Sequence, residues 1–308
     1  MKIFDSQHQD ITSELKRIIN RGETATDEVA VLVREIVERV RKEGDPALLE
    51  YTEKFDRVSL SLKDLKVTPN EIRDAYANVD PKKVDALKLA AANIRSFHEK
   101  QKISTWVNQE ADGVILGQLA RPIRSVGVYV PCGKACYPSS VLMNVIPAKV
   151  AGVEQLIMCS PVPEGKPNPY ILVAADIAGV SEIYKIGGAQ AIAAMAYGTA
   201  MIPKVDKIVG PGNIYVATAK RYVFGQVDID MIAGPSEILI IADDSADPAF
   251  IASDLLSQAE HDELASSILV TASRALADRV NVELERQLAN LPRKEIARKA
   301  IDLSLIHI

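Results

Sequence analysis

From residue 124 to the C-terminus, short β-rich runs alternate with stretches of helical periodicity, and this alternation constrains the fold more than any other feature. Residues 114–120 and 124–130 are β-rich, the second reading Arg-Ser-Val-Gly-Val-Tyr-Val. Further strands are predicted at 155–159, 182–186, 205–209, 237–242 and 267–271. Helices are predicted at 140–150, with Pro147 as a kink, and at 170–178, 189–197, 213–224, 248–260 and 274–289; 161–169 is a proline-rich loop. Strands that alternate with helices imply βαβ units around a parallel sheet. There are more units than one compact sheet needs, and 308 residues accommodate two α/β domains.

The first third reads as helical. Val29, Leu32, Val33, Ile36, Val37 and Val40 recur at helical spacing, and Gly44 is placed to end that helix. Asp45-Pro46 and Asp80-Pro81 each resemble an N-cap followed by proline in the first turn. The second opens a long helix through Ala86, Leu89, Ala90, Ile94 and Phe97, on which His98 is read as a surface residue. Apolar residues at 48% suffice for a buried core. A net charge of −5, from 36 basic and 41 acidic residues, argues against a general nucleic-acid binder. No apolar run is long enough to span a membrane, and Met-Lys-Ile-Phe-Asp does not read as a signal peptide. Three cysteines, Cys132, Cys136 and Cys159, predict reduced thiols in a cytoplasmic setting rather than a disulfide framework.

Four glycine-bearing turns follow predicted strands: Pro131-Cys132-Gly133, Gly187-Gly188-Ala189-Gln190, Gly210-Pro211-Gly212-Asn213 and Gly234-Pro235-Ser236. In open α/β sheets ligands bind at the carboxyl ends of strands, and a helix that starts there offers unpaired N–H groups to an anion. Polar tips at Gln190, Asn213 and Ser236 favour one ligand-binding face, although no G-x-G-x-x-G fingerprint is present. Cys132 and Cys136 flank a strand-to-helix turn without a histidine nearby, which favours a packing or loop role over a nucleophile. The stretch Asp254-Leu-Leu-Ser-Gln-Ala-Glu-His-Asp-Glu263 ends in metal-capable side chains. If its helix continues that far, Gln258 and His261, three residues apart, share a face. A histidine near a helix C-terminus is also favoured by the macrodipole alone, and glutamine is an uncommon zinc ligand.

Taken together, several segments resemble the histidinol dehydrogenase family. They are Val-Gly-Val-Tyr-Val-Pro (126–131), Tyr-Pro-Ser-Ser-Val-Leu-Met-Asn (137–144), Gly-Gly-Ala-Gln-Ala-Ile-Ala-Ala (187–194), Pro-Lys-Val-Asp-Lys-Ile-Val-Gly-Pro-Gly-Asn (203–213), Ile-Asp-Met-Ile-Ala-Gly-Pro-Ser-Glu (229–237) and Asp-Leu-Leu-Ser-Gln-Ala-Glu-His (254–261). The resemblance implies oxidation of L-histidinol to L-histidine through the aldehyde, with NAD and zinc, by a homodimer. It implies NAD contacts at Tyr129, Gln190 and Asn213, substrate contacts at Ser236, Gln258 and His261, and zinc ligation by Gln258 and His261. The implied fold is α/β: two incomplete Rossmann-like domains with mostly parallel sheets and a helical N-terminal region. The expected division is a helical arm at 1–25, a first domain from 26–128 with 238–308, and a second domain at 129–237.

Two departures from the family pattern stand out. Cys132 replaces a usual glycine. Family chains also continue beyond the equivalent of residue 308 and carry there a catalytic Glu-His pair and further zinc ligands. The end, Leu303-Ser-Leu-Ile-His-Ile308, does not follow the family pattern and reads as an early stop, a fragment or a scar. His307 is not taken as a replacement ligand. The expectation is therefore a histidinol dehydrogenase chain inactive by itself. The alternatives are, from another class, a non-catalytic paralogue that binds NAD or histidinol, and, third, another α/β enzyme acting on a phosphorylated metabolite through the glycine turns.

Overall fold

The computed structural model describes residues 1–6, 8, 10–19, 27–132, 136–232 and 237–308. The chain opens with β1 (Lys2–Phe4) and α1 (Thr12–Ile19), then runs through α2 (Asp27–Glu43), α3 (Asp45–Asp56), α4 (Pro69–Ala77) and α5 (Pro81–Glu99). A hairpin, β2 (Trp106–Gln109) and β3 (Ile115–Gln118), leads to the alternating region: β4 (Ser125–Tyr129), α6 (Pro138–Ala151), β5 (Gln155–Cys159), α7 (Pro169–Ala178), β6 (Glu182–Tyr184), α8 (Gly188–Tyr197), β7 (Lys207–Val209), α9 (Ile214–Val223) and β8 (Asp228–Ile229). Then come β9 (Glu237–Ile241), α10 (Pro248–Ala259), β10 (Ser266–Val270), α11 (Arg274–Leu288), α12 (Lys294–Asp302) and β11 (Leu305–His307). The chain divides into two compact units, Ala25–Ile232 and Met1–Thr24 with Ala233–Ile308. The fold is α/β with mostly parallel sheets and a helical N-terminal region, as the alternation implied.

The larger unit is built on a parallel five-stranded sheet of order β6-β5-β4-β7-β8. In chain order that is 3-2-1-4-5, so the direction of progression reverses between β4 and β7, a topological switch point. Both faces are covered, and strand alternation assigns the side chains. Val126, Val128, Leu156 and Met158 join the core beneath α4–α7. Tyr129, Ile157 and Cys159 join the opposite core beneath α2, α3, α8 and α9. Residues 27–99, expected to belong with 238–308, make their packing contacts in this unit, since the buried stripe Val33, Ile36, Val37 and Val40 of α2 shares a core with α8. Asp80 caps α5 by accepting the Lys82 N–H. Asp45 does not cap α3: Gly44 holds that position, and the buried Asp45 carboxylate accepts the Met201 N–H instead.

The smaller unit has a parallel four-stranded sheet of order β1-β11-β10-β9. Its core lies beneath α10, α11 and α12 and includes Leu255, Leu269, Val280, Ile301 and Ile306. Two sequence expectations change here. The arm at 1–25 is not wholly helical, because Lys2–Phe4 pairs with Leu305–His307. The terminal Leu305-Ile-His, for which no strand was predicted, is an inner strand whose Ile306 is fully buried. Three residues are too few for a period-2 pattern to register in the sequence.

The cysteine expectation is also corrected. Cys132 and Cys136 are joined by a disulfide, their Cα atoms 4.3 Å apart, and only Cys159 is free. The two cysteines also form an antiparallel bridge, a proximity that a count of cysteines does not reveal. No helix among the described residues is long and apolar enough to cross a membrane.

Candidate functional site

The end of β4 meets two glycine turns. Tyr129, its last residue, is buried, and its hydroxyl accepts the Gly188 N–H at 3.1 Å. That N–H belongs to the first turn of α8, where amides have no intrahelical acceptor. On the far side of the switch point, Gly210 follows β7 with φ +115°, and a Cβ there would lie 2.1 Å from the Tyr129 carbonyl oxygen. Only glycine fits both that backbone conformation and that approach. The turns at 187–190 and 210–213 are therefore both built onto Tyr129.

Gln190 stands out physically. In α8, Ala189 through Ala196 are all buried, as expected of a helix that is apolar nearly all round. Gln190 is the one amide among them, 1% exposed, and its Nε2 has no hydrogen-bond partner. A buried donor without an acceptor is costly, and such exceptions are explained by a functional role, a ligand, an ordered water or strain. A Cβ on Gly188 would fall 2.4 Å from Gln190 Oε1, so the glycine keeps the space that this amide occupies.

Asn213 is exposed at the tip of the β7–α9 turn. Its Oδ1 caps α9 by accepting the N–H groups of Tyr215 and Val216, both at 3.1 Å. The cap commits the oxygen, which leaves the Nδ2 protons for a ligand.

Asp56, at the end of α3, adds a carboxylate that the sequence did not single out. Its Oδ2 is buried without a hydrogen bond, and burial pushes its carboxyl above the ordinary value, opposed by the nearby Gly187 N–H. Burial likewise raises the Tyr129 phenol, which stays protonated. Nothing in the local sequence signals Asp56, because its partner lies more than a hundred residues away.

The second cluster belongs to the smaller unit. The apolar stripe Ile251, Ala252, Leu255, Leu256 and Ala259 fastens α10 to its core, and Gln258 sits half-buried beside it in the last turn. The helix stops at Ala259 with Glu260 as C-cap, so His261 lies beyond it in a turn, exposed, its N–H donating to the Gln258 carbonyl at 3.1 Å. The helical i,i+3 relation expected for this pair is thus replaced by one tight turn. Asp262 accepts the Leu264 N–H, and Glu263 pairs with Lys299. Among the described residues no three His, Cys, Asp or Glu side chains converge in a way that could hold a metal. Ser236 lies outside the described residues. His98 is on the surface, bonded to Gln101.

A family model for histidinol dehydrogenase matches residues 19–308. The histidinol dehydrogenase of Listeria innocua is 56% identical over 302 residues, which span 98% of this chain and 70% of that protein. That of Geobacter metallireducens is 56% identical over 301 residues, with 97% and 69% covered. Among solved structures, a histidinol dehydrogenase from Elizabethkingia anophelis superposes with a TM-score of 0.92 at 41% identity, covering all of this chain and 70% of that one. With this match over nearly its whole length, the chain belongs to the histidinol dehydrogenase family of oxidoreductases.

Proposed function

We propose that the protein takes part in the oxidation of L-histidinol to L-histidine by way of the aldehyde, in histidine biosynthesis, with NAD held on the larger unit at Tyr129, Gln190 and Asn213. One observation supports the cofactor assignment above the others: the buried Gln190 amide lacks an acceptor beside two glycine turns at a sheet switch point. NAD supplies the hydride acceptor when bound. The protein's own residues supply its seat: the Gln190 Nε2 and Asn213 Nδ2 protons as donors, and Gly188 and Gly210 as points of close approach.

Ser236, Gln258 and His261 are assigned to the substrate, and Gln258 and His261 to zinc. A closed zinc site takes four donors and a catalytic one three protein donors. Two side chains alone do not fit the ion, so no chemical step is assigned through it here. A polypeptide of residues 1–308 is accordingly expected to bind NAD, to retain little zinc after dialysis, and to form negligible NADH with histidinol. Assay beside the natural reading frame, with zinc quantified in both, tests this. Robust NADH from a preparation confirmed at 33.5 kDa overturns it.

A second reading, a paralogue that binds NAD or histidinol without turnover, gains only if the natural frame supplies no donors beyond these. Binding without NADH formation by the natural reading frame would select it. A homodimer acting in the cytoplasm, without nucleic-acid or membrane partners, completes the proposal, and sedimentation tests the dimer.

A further inference from the structure

We propose that Lys220 and Asp230 are positioning residues for the cofactor, an ion pair of a buried lysine with a partly exposed aspartate that fixes the backbone of Gly210 and through it the turn carrying Asn213. The inference rests on the NAD reading given above. Lys220, in the last turn of α9, is 2% exposed, and its Nζ donates to the Gly210 carbonyl at 3.0 Å and to Asp230 Oδ1. Asp230 follows β8, and its Oδ2 accepts the Gly210 N–H at 2.7 Å while Oδ1 accepts the Met231 N–H at 2.7 Å. Both polar backbone groups of one glycine are therefore held by opposite charges that also hold each other. The Gly210 Cα lies against the Tyr129 carbonyl, where no Cβ fits. The pair, the glycine and Tyr129 thus form a chain of contacts across the switch point, with Asn213 three residues further on.

A buried cation contributes little net stability when a matched apolar pair could fill the same volume. Sequestering Lys220 is understood here as a device for geometry. Charge-assisted hydrogen bonds are short and directional, so they resist rotation of the Gly210 peptides, which glycine would otherwise allow over a wide range of φ.

The test compares K220M, D230N and the double variant K220M/D230L by thermal unfolding, NAD titration and amide hydrogen exchange at 210–213, using the whole chain. A purely structural ion pair predicts that the double variant, which leaves no buried charge unpaired, regains both melting temperature and NAD affinity. A positioning role predicts that the double variant regains melting temperature but binds NAD roughly ten-fold more weakly than the parent, with faster exchange at the Gly210 and Asn213 amides. NAD affinity equal to the parent's in the double variant overturns the inference. If the parent itself does not bind NAD, the cofactor reading fails. The clamp is then judged by exchange alone, and unchanged protection at 210–213 overturns it.

Discussion

The Tyr129 hydroxyl and the Gly188 N–H, 3.1 Å apart, link the end of β4 to the first turn of α8. The acceptor is a protonated phenol that burial keeps from ionising, so the bond persists across the physiological pH range. Tyr129→Phe keeps the ring packing and strands one buried N–H. The expected cost is about 1–2 kcal/mol, or a fall in melting temperature of roughly 2–6 °C for a domain of this size. Calorimetry of the variant checks it, and an unchanged melting temperature would show that the N–H finds another acceptor.

Gln190 should behave in the opposite sense. Its Nε2 is buried and unpaired, so Gln190→Met, of similar volume, removes an unsatisfied donor and fills the same space. Stability is expected to hold or to rise by up to about 1 kcal/mol, while NAD affinity drops about ten-fold for want of the amide. A gain in stability joined to a loss of binding is the trade-off characteristic of functional polar groups. A variant both destabilised and unchanged in binding would make Gln190 a packing residue.

The Asp56 carboxyl has its pKa raised in the folded state, through burial opposed by the Gly187 N–H. An acid raised on folding favours the native state while protonated. Its ionisation subtracts stability as pH climbs from the ordinary value of 3.8 through the raised one. Asp56→Asn is therefore expected to unfold at higher urea concentration than the parent at pH 7, with the gap closing as pH approaches 4. A gap that widens on acidification would contradict the sign.

Much of this fold was legible in the sequence. The predicted strand at 155–159 matches β5, and the helices at 170–178, 213–224 and 248–260 fall within two residues of α7, α9 and α10 at either end. Long periodic segments bounded by glycine and proline carry their own signal. What stayed hidden depends on contacts distant in sequence. β1 and β11 are three-residue strands that exist because each pairs with a partner from the other end of the chain. The Cys132–Cys136 bridge depends on how close two Cα atoms come, which a count of cysteines does not fix. For the candidate site, Gln190 and Asn213 were visible as polar tips on glycine turns. Asp56, Lys220 and Asp230 were not, because their role is defined by which backbone groups they reach. The shared face of Gln258 and His261 was conditional on the helix reaching residue 261, and α10 stops at Ala259, since a helix end is the least certain part of a helix.

Away from the cofactor face, Lys185 and Glu71 give a prediction with a pH window. Lys185 is buried and its Nζ contacts Glu71 Oε1 at 2.8 Å, while Glu71 Oε2 closes the capping box of α4 on the Thr68 N–H. Burial alone would raise the Glu71 carboxyl, but the bonds from Lys185 and Thr68 outweigh it and hold the group below its ordinary 4.5. A depressed acid contributes stability that is present above the unfolded value and lost as pH falls through the folded one. Lys185→Met leaves Glu71 only its capping bonds. Breaking a fully buried pair costs about 3–5 kcal/mol, and because the Glu71 side chain is 29% exposed, about 1–3 kcal/mol is expected at pH 7. The difference between parent and variant should shrink as pH falls below 4.5, because protonated Glu71 no longer attracts the ammonium. Urea unfolding at pH 7, 5 and 3.5 measures it. A difference that is constant across that range would assign the loss to packing of the Lys185 alkyl chain and not to its charge.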